Sequence, residues 1–548
     1  MARLQAPHEP PTMTSSRNPS AAGTLDARTP QALRDAAITR HLQGNFPEAE
    51  PLYQQSLRLA PRDFQTLFMY GLLAAQTGRL EQAAGLFRKA IRIDANSPQA
   101  HNNLGSVLAE LERYGEALAS FEKAVLLAPQ YAEAHSSRGA ALGCLKRYEE
   151  ALASHERAIQ LQPHSAFAHS NRGNLLLQLQ RHEEALVSFD TSIALRPEDA
   201  ELHTNRGQCL LQTGRYEEAI SSFDASIRLS SAGAEAHYSK GLALLTLGDL
   251  ERGWPLHEWR SHKARATPTR APPLACPRWS GEESLEGKTL FIHYEQGLGD
   301  TLQFCRYAKL AQERGARVVL EVQPALAPLL RRLGPAIEIV TDLESARRAD
   351  CYSPLMSLPL AFKTDLATIP HAAGYLAGDP TRVASWRSEL GADSTPLVGL
   401  AWRGNPLQGA DQRRSIELAQ LIRHLPQRAR YIRLQAEMSE VDRKTLESHS
   451  LLRQLLQPPG DFADTAALIE CLDVVITVDT SIAHLSGALG RRTWLLLPYA
   501  PDWRWLLDRD DSPWYRSVRL YRQKRAGDWA GPLACIEAAI SALNPVSR

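Results

Sequence analysis

Six glycines, Gly71, Gly105, Gly139, Gly173, Gly207 and Gly241, fall exactly one 34-residue step apart. A chain with that period is committed to a stack of like units before any other feature is weighed. Ala49, Ala83, Ala117, Ala151, Ala185 and Ala219 repeat at the same interval, where a small side chain lets two helices approach. Tyr53, Phe87, Phe121, Phe189 and Phe223 fill a third column, interrupted by His155. Within a unit the apolar residues recur at helical spacing, as in Leu104, Val107, Leu108 and Leu111, then Ala117, Leu118, Phe121 and Ala124. Pro61, Pro129, Pro163 and Pro197 close successive units, because proline cannot continue a helix. Each unit therefore reads as an antiparallel helix pair. Such a pair cannot bury its apolar face alone, so neighbours must stack.

The period and its columns resemble the tetratricopeptide-repeat family, which implies a helical solenoid whose groove, lined by first helices, takes an extended polypeptide. Asn103, Asn171 and Asn205 share one repeat position, and Ser137 and Ser239 replace the asparagine elsewhere. An asparagine there can donate to and accept from a peptide backbone. The column resembles the asparagine ladder of eukaryotic protein O-linked N-acetylglucosamine transferases, which holds acceptor polypeptides. The plainer reading, that these amides solvate an exposed helix face, stays open beside it. His101, His135, His169, His203 and His237 also recur at 34 residues. They cannot be one metal site, since side chains on successive hairpins lie about 10 Å apart, whereas zinc ligands converge at roughly 2 Å. They read as packing residues at the start of each hairpin.

The pattern decays where Gly253 and His257 replace the alanine and aromatic columns, and Trp254 and Trp259 appear, as in a capping hairpin. The domain plan is a leader at 1–29, the repeat solenoid with its cap at 30–263, a proline-rich and basic linker at 264–286, and two further halves at 287–385 and 386–548. The leader is rich in proline, serine and threonine and carries no apolar core of the kind a signal peptide needs. No apolar run approaches the roughly 20 residues that cross a bilayer. The 62 basic and 61 acidic residues nearly cancel, so no general field would hold the chain on nucleic acid. The seven cysteines show no C-x-x-C spacing, which argues against a zinc site or a disulfide framework and favours a reducing, cytoplasmic setting.

After the linker the period changes. Leu290–Tyr294 is a short apolar run, then comes E-Q-G-L-G-D at Glu295–Asp300, then a helical pattern through Leu302, Tyr307, Leu310 and Ala311. Strand, glycine turn and helix open an α/β unit. Val318–Val322 and Ile337–Val340 supply further strands. A second series runs through Val398–Trp402, a helix near Ser415–Leu425, Tyr431–Leu434, Val474–Val478 and Trp494–Leu497. The expected fold class is multidomain: an all-α solenoid followed by two Rossmann-like α/β halves with a cleft between them.

V-I-T-V-D-T-S-I-A-H-L-S-G-A-L-G, Val475–Gly490, carries most of the chemical argument. Asp479 ends a buried strand, Thr480 and Ser481 stand at the start of a helix, and His484 follows one turn in. Unpaired backbone N–H groups and the helix dipole favour an anion there, and two hydroxyls add donors, which suits a nucleotide diphosphate. Helix capping alone is the plainer reading. Arg403 follows the strand Val398–Trp402 and can neutralise a departing diphosphate, as can Arg413 and Arg414. Gln435, at the end of its own strand, can read a nucleobase. No metal-ligand cluster is read at these motifs, so no metal and no cofactor are expected. The aromatic tail, P-D-W-R-W and S-P-W-Y, reads as core packing, with stacking on a base or sugar as the alternative.

The segment from strand end through D-T-S to the helical histidine resembles the D-T-G/S-x-x-H-L motif of bacterial heptosyltransferases. G-L-G-D at Gly297–Asp300 resembles that family's glycine turn. The resemblance implies a GT-B glycosyltransferase in which Gly297 and Gly299 face the donor and Asp300 deprotonates the acceptor hydroxyl. It also implies that Asp479, Thr480, Ser481 and His484 hold the nucleotide-sugar's phosphates and that the reaction inverts the anomeric carbon. The combination with repeats resembles protein O-glycosyltransferases, including those that modify flagellin, which implies a protein acceptor. Two alternatives stay open: a scaffold with a degenerate transferase domain, and an enzyme acting on a glycan.

Overall fold

The computed structural model describes residues 29–263, 276–370, 374–391, 393–404, 414–435, 438–448 and 459–544. The leader up to residue 28, the linker segment 264–275 and Arg413 lie outside the described residues. The chain is an all-α repeat array followed by an α/β region of two parallel sheets, as its pattern requires. It divides into two compact units, Met1–Cys209 and Leu210–Arg548. The division between these units falls inside a repeat, at residues 209 and 210.

In the first unit α1 (Pro30–Leu42) to α10 (His182–Leu195) form five helix pairs, and α11 (Ala200–Gln212) crosses into the second unit. The glycine column has a steric cause. A Cβ on Gly105 would stand 2.6 Å from the Phe121 ring, and the same clash recurs between Gly71 and Phe87 at 2.9 Å and between Gly173 and Phe189 at 2.7 Å. The second helix thus lays its ring across the first helix's bare backbone, with the alanine column fully buried beside it. At Gly139 the ring is His155, whose Cε1 would meet a Cβ at 2.7 Å. Each hairpin turn needs one left-handed residue. Gly44 and Gly78 supply it, but Glu112, Lys146 and Gln180 are forced to φ near 60° in the middle repeats. The histidine column latches the turn between units: each Nε2 meets the carbonyl six residues back, at 3.1 Å for His101, 3.0 Å for His135 and 2.9 Å for His169 and His203.

The second unit holds α12 (Tyr216–Leu229), α13 (Ala234–Thr246), α14 (Leu250–His257), the short 3-10 turn Glu258–His262, and both sheets. The first sheet comprises β1 (Thr289–His293), β2 (Arg317–Glu321), β3 (Ile337–Val340) and β4 (Cys351–Pro354), in the order β3-β2-β1-β4. The second comprises β5 (Leu397–Ala401), β6 (Arg430–Arg433), β7 (Val474–Val478), β8 (Thr493–Leu497) and β9 (Val518–Arg522), in the order β6-β5-β7-β8-β9. All pairings between these strands are parallel. Central strands such as β5, β7 and β8 are buried along their whole length, which explains their unbroken apolar runs.

The last repeat shares its core with the α/β region. Leu245, Leu250 and Trp254 belong to one continuous apolar cluster with residues of both halves. The Trp254 indole N–H donates to the Thr364 carbonyl at 2.9 Å, and its ring meets Trp503 edge-on at 5.3 Å. Arg260, in the turn after α14, forks onto Glu295 at the end of β1, with contacts of 3.2 and 2.8 Å, and donates to Ser357 after β4 at 2.7 Å. Arg260 therefore bridges the segments that follow β1 and β4.

Candidate functional site

In open parallel sheets ligands bind beyond the carboxyl ends of the strands, where the strand order reverses. In the second sheet that point lies between β5 and β7, and Ala401 is in register with Thr477. Arg403 and the Asp479–Ser481 segment consequently leave adjacent strand ends. In the first sheet it lies between β1 and β4, and the glycine turn Glu295–Gly297 follows β1.

The two motifs meet. The helix Leu298–Phe304 packs on the helix Ser481–Ala488, and a Cβ on Gly299 would lie 2.8 Å from His484 Cδ2, so only glycine admits the imidazole. Asp300 closes the first turn of its helix, accepting from the Gly297 N–H at 2.9 Å. Its other oxygen pairs with Arg504, whose guanidinium also reaches Asp502 at 2.8 Å and the Gln303 amide oxygen at 2.6 Å. Burial pushes the Asp300 carboxyl above its usual range, while Arg504 pulls it down. Asp479 keeps 14 % of its side chain exposed and lies 3.9 Å from His484 Nε2. Burial first, then the charge of Asp502, raise its pKa to about 6, against the pull of Arg504. His484 is buried and held well below the ordinary imidazole range by that burial, with the cations Arg504, Arg306 and Arg414 adding to it. The buried Arg504 thus pairs with Asp300 and Asp502, feels the charge of Asp479 and lies 4.4 Å from the centre of the Trp503 ring, while Trp505 and Tyr515 lie against His484.

The Thr480 hydroxyl caps its helix, accepting from the Ile482 N–H at 3.3 Å, and lies 3.2 Å from the Thr477 hydroxyl. Ser481 begins the helix and is half-buried. Arg403 stands 3.5 Å from the buried Asp442. The Gln435 side-chain oxygen accepts from the backbone N–H groups of Trp402 at 3.2 Å and Arg403 at 3.0 Å, which ties the ends of β5 and β6 together. In the repeats Asn103 and Asn205 are half-buried, and Asn171 donates to Ser136 of the preceding unit at 3.2 Å. Asp300, Gly299, Asp479 and His484 thus come together, and Arg414 is near enough for its charge to act on the last two.

Arg504, Asp502, Gln303 and Tyr515 were not named as site residues from the sequence. The D-W-R-W run held the signal: an acid and an arginine alternating with tryptophans must pair their charges if the aromatics are buried.

The chain carries tetratricopeptide repeats followed by a C-terminal α/β region. Tetratricopeptide-repeat models match residues 30–55, 43–98, 96–164 and 170–234. Protein FlbA of Caulobacter vibrioides is 28 % identical over 321 residues, which cover 54 % of this chain and 52 % of that protein. The chain spans about half the length of this curated relative. Similar solved structures include pilF of Pseudomonas aeruginosa, 18 % identical, with a TM-score of 0.33 over 38 % of this chain and 94 % of that one. MamA of Desulfovibrio magneticus RS-1 is 23 % identical, with a TM-score of 0.29 over 31 % and 95 %.

Proposed function

We propose that the chain is a glycosyltransferase that moves a sugar from a nucleotide-sugar onto a protein recruited by its repeats, without a metal and with inversion. One observation carries the reading: the carboxylate after β1 and the D-T-S helix after β7 meet in one cluster at the strand ends. Asp300 is the candidate base for the acceptor hydroxyl. Its orientation is set by Gly297 and Arg504, which occupy one lone pair on each oxygen and leave others for a proton. Asp479, Thr480, Ser481, His484 and the start of their helix are the candidate diphosphate site, with Gly297 and Gly299 admitting the donor and Gln435 near the base. Arg403 is the candidate that balances charge on the leaving group. Asn103, Asn171 and Asn205 are candidate contacts for the acceptor's backbone.

The cytoplasmic setting proposed here rests on the seven scattered cysteines, which show no C-x-x-C spacing. Among the described residues no helix is long and apolar enough to cross a membrane. The rival reading, a binding scaffold with an inert transferase fold, has one observation in its favour, the ion pair that already engages Asp300. Calorimetric titration with nucleotide-sugars separates the two. The enzyme reading expects Asp300→Asn to retain donor binding and lose turnover, and undiminished turnover would remove Asp300 as the base.

A further inference from the structure

His484 is gripped on every side. Its ring stacks on Trp505 at 5.5 Å with 25° between planes, its Cδ2 edge faces Gly299, and its Nδ1 lies 2.9 Å from the Tyr515 hydroxyl. Tyr515 reaches it only because residue 487 is glycine, where a Cβ would stand 2.5 Å from the Tyr515 ring. Beneath Tyr515 sits Arg306, buried and, among the described residues, hydrogen-bonded to no carboxylate. It donates to the carbonyls of Gln303, Pro370 and Trp514 and to the Tyr375 hydroxyl, at 2.7 to 2.9 Å. Its Cζ lies 4.8 Å from the Tyr515 ring centre. A cation over a phenol ring draws density from the hydroxyl and makes it the better donor.

We propose that Tyr515 is a positioning residue for this site: its hydroxyl donates to His484 Nδ1 and fixes the imidazole in the tautomer that carries hydrogen on Nε2, facing Asp479. The partner of one ring nitrogen sets the tautomer of the other. Asp479 Oδ1, 3.9 Å from Nε2, is beyond hydrogen-bond reach, but a carboxylate, which when ionised can only accept, favours hydrogen on the nitrogen turned toward it. Burial keeps the phenol protonated, with its pKa raised to about 12, and keeps the imidazole neutral. On the transferase reading, on which this inference rests, the neutral Nε2–H is then a fixed donor to a phosphate oxygen at the helix start. It supplies a hydrogen bond there without a titrating charge.

The test is a two-bond proton–nitrogen correlation spectrum of the full chain labelled with 15N-histidine, with the His484 signals identified by their loss in His484→Gln. A protonated Nε2 and an unprotonated Nδ1 are expected, and Tyr515→Phe should replace that single tautomer with an averaged pair. A protonated Nδ1 in the unaltered protein, or a Tyr515→Phe spectrum unchanged at His484, would overturn the assignment. The unaltered protein alone decides the first point, so a variant that folds poorly leaves the proposal falsifiable. The readout needs no substrate, so a failure of the transferase reading is seen separately, as absent binding of UDP- and ADP-sugars to a protein with the expected tautomer.

Discussion

Replacing Trp254 by alanine should destabilise the α/β region, although the residue belongs to the last repeat. The indole is 2 % exposed, packs edge-on against Trp503 and Trp514, and donates its N–H to the Thr364 carbonyl. Truncating a buried tryptophan costs about 3–5 kcal/mol, of which the lost hydrogen bond supplies about 1. Trp254→Phe, which retains a ring and loses the donor, should fall well short of that. The assay is native-state hydrogen exchange, read peptide by peptide. A loss of about 4 kcal/mol corresponds to roughly a thousandfold faster exchange of amides that open with the shared core. That acceleration should appear in β1 and β4, while the helices of the first unit keep their protection. If faster exchange stays within residues 210–263 and both strands are unaffected, the cap does not share a core with the sheets and the packing argument fails.

Four further outcomes follow from the packing of the repeats and their cap. A fragment beginning at the head of α11, residue 200, should be soluble and cooperatively folded. One beginning at 264 should aggregate, because it strips the cover from Trp503 and from Glu295, and equal solubility of the two would contradict the shared core. Gly105→Ala should lower stability by about 1–3 kcal/mol through overpacking against Phe121, whereas Lys146→Gly should raise it by about 1 kcal/mol by relieving a left-handed residue; thermal shifts of the wrong sign would refute either. His155 is buried, and its pKa falls from the ordinary 6.5 to about 4. Its contribution is therefore whole above pH 6.5 and is lost, by about 3 kcal/mol, as pH falls through that window. His155→Phe, which restores the ring of the neighbouring columns, should flatten the acid limb of a denaturation series, and an unchanged limb would show that His155 is not what titrates.

The repeat array was legible because each unit solves the same local problem, a ring laid over a glycine, and writes the answer every 34 residues. The central strands were legible because burial on both faces leaves them almost purely apolar. β4 and β9 were missed for the complementary reason. They lie at sheet edges, where Cys351–Pro354 carries a proline and Val518–Arg522 alternates with charge. Asp300 and the D-T-S segment stood out as strand–turn–helix motifs, but Arg504 lies 204 residues beyond Asp300, and no local pattern joins them. The same limit applies to Gln435. Its place at a strand end was readable, but its oxygen's engagement with the β5 backbone was not.

The central claim is that the cleft transfers a sugar to a polypeptide held by the repeats. The most direct test incubates the purified chain with radiolabelled nucleotide-sugars and a host lysate, then separates proteins from glycans. Transfer is expected as label on a protein band, lost with Asp300→Asn and lost when the first unit is removed. Label on a glycan alone, or no label with any donor, would contradict it.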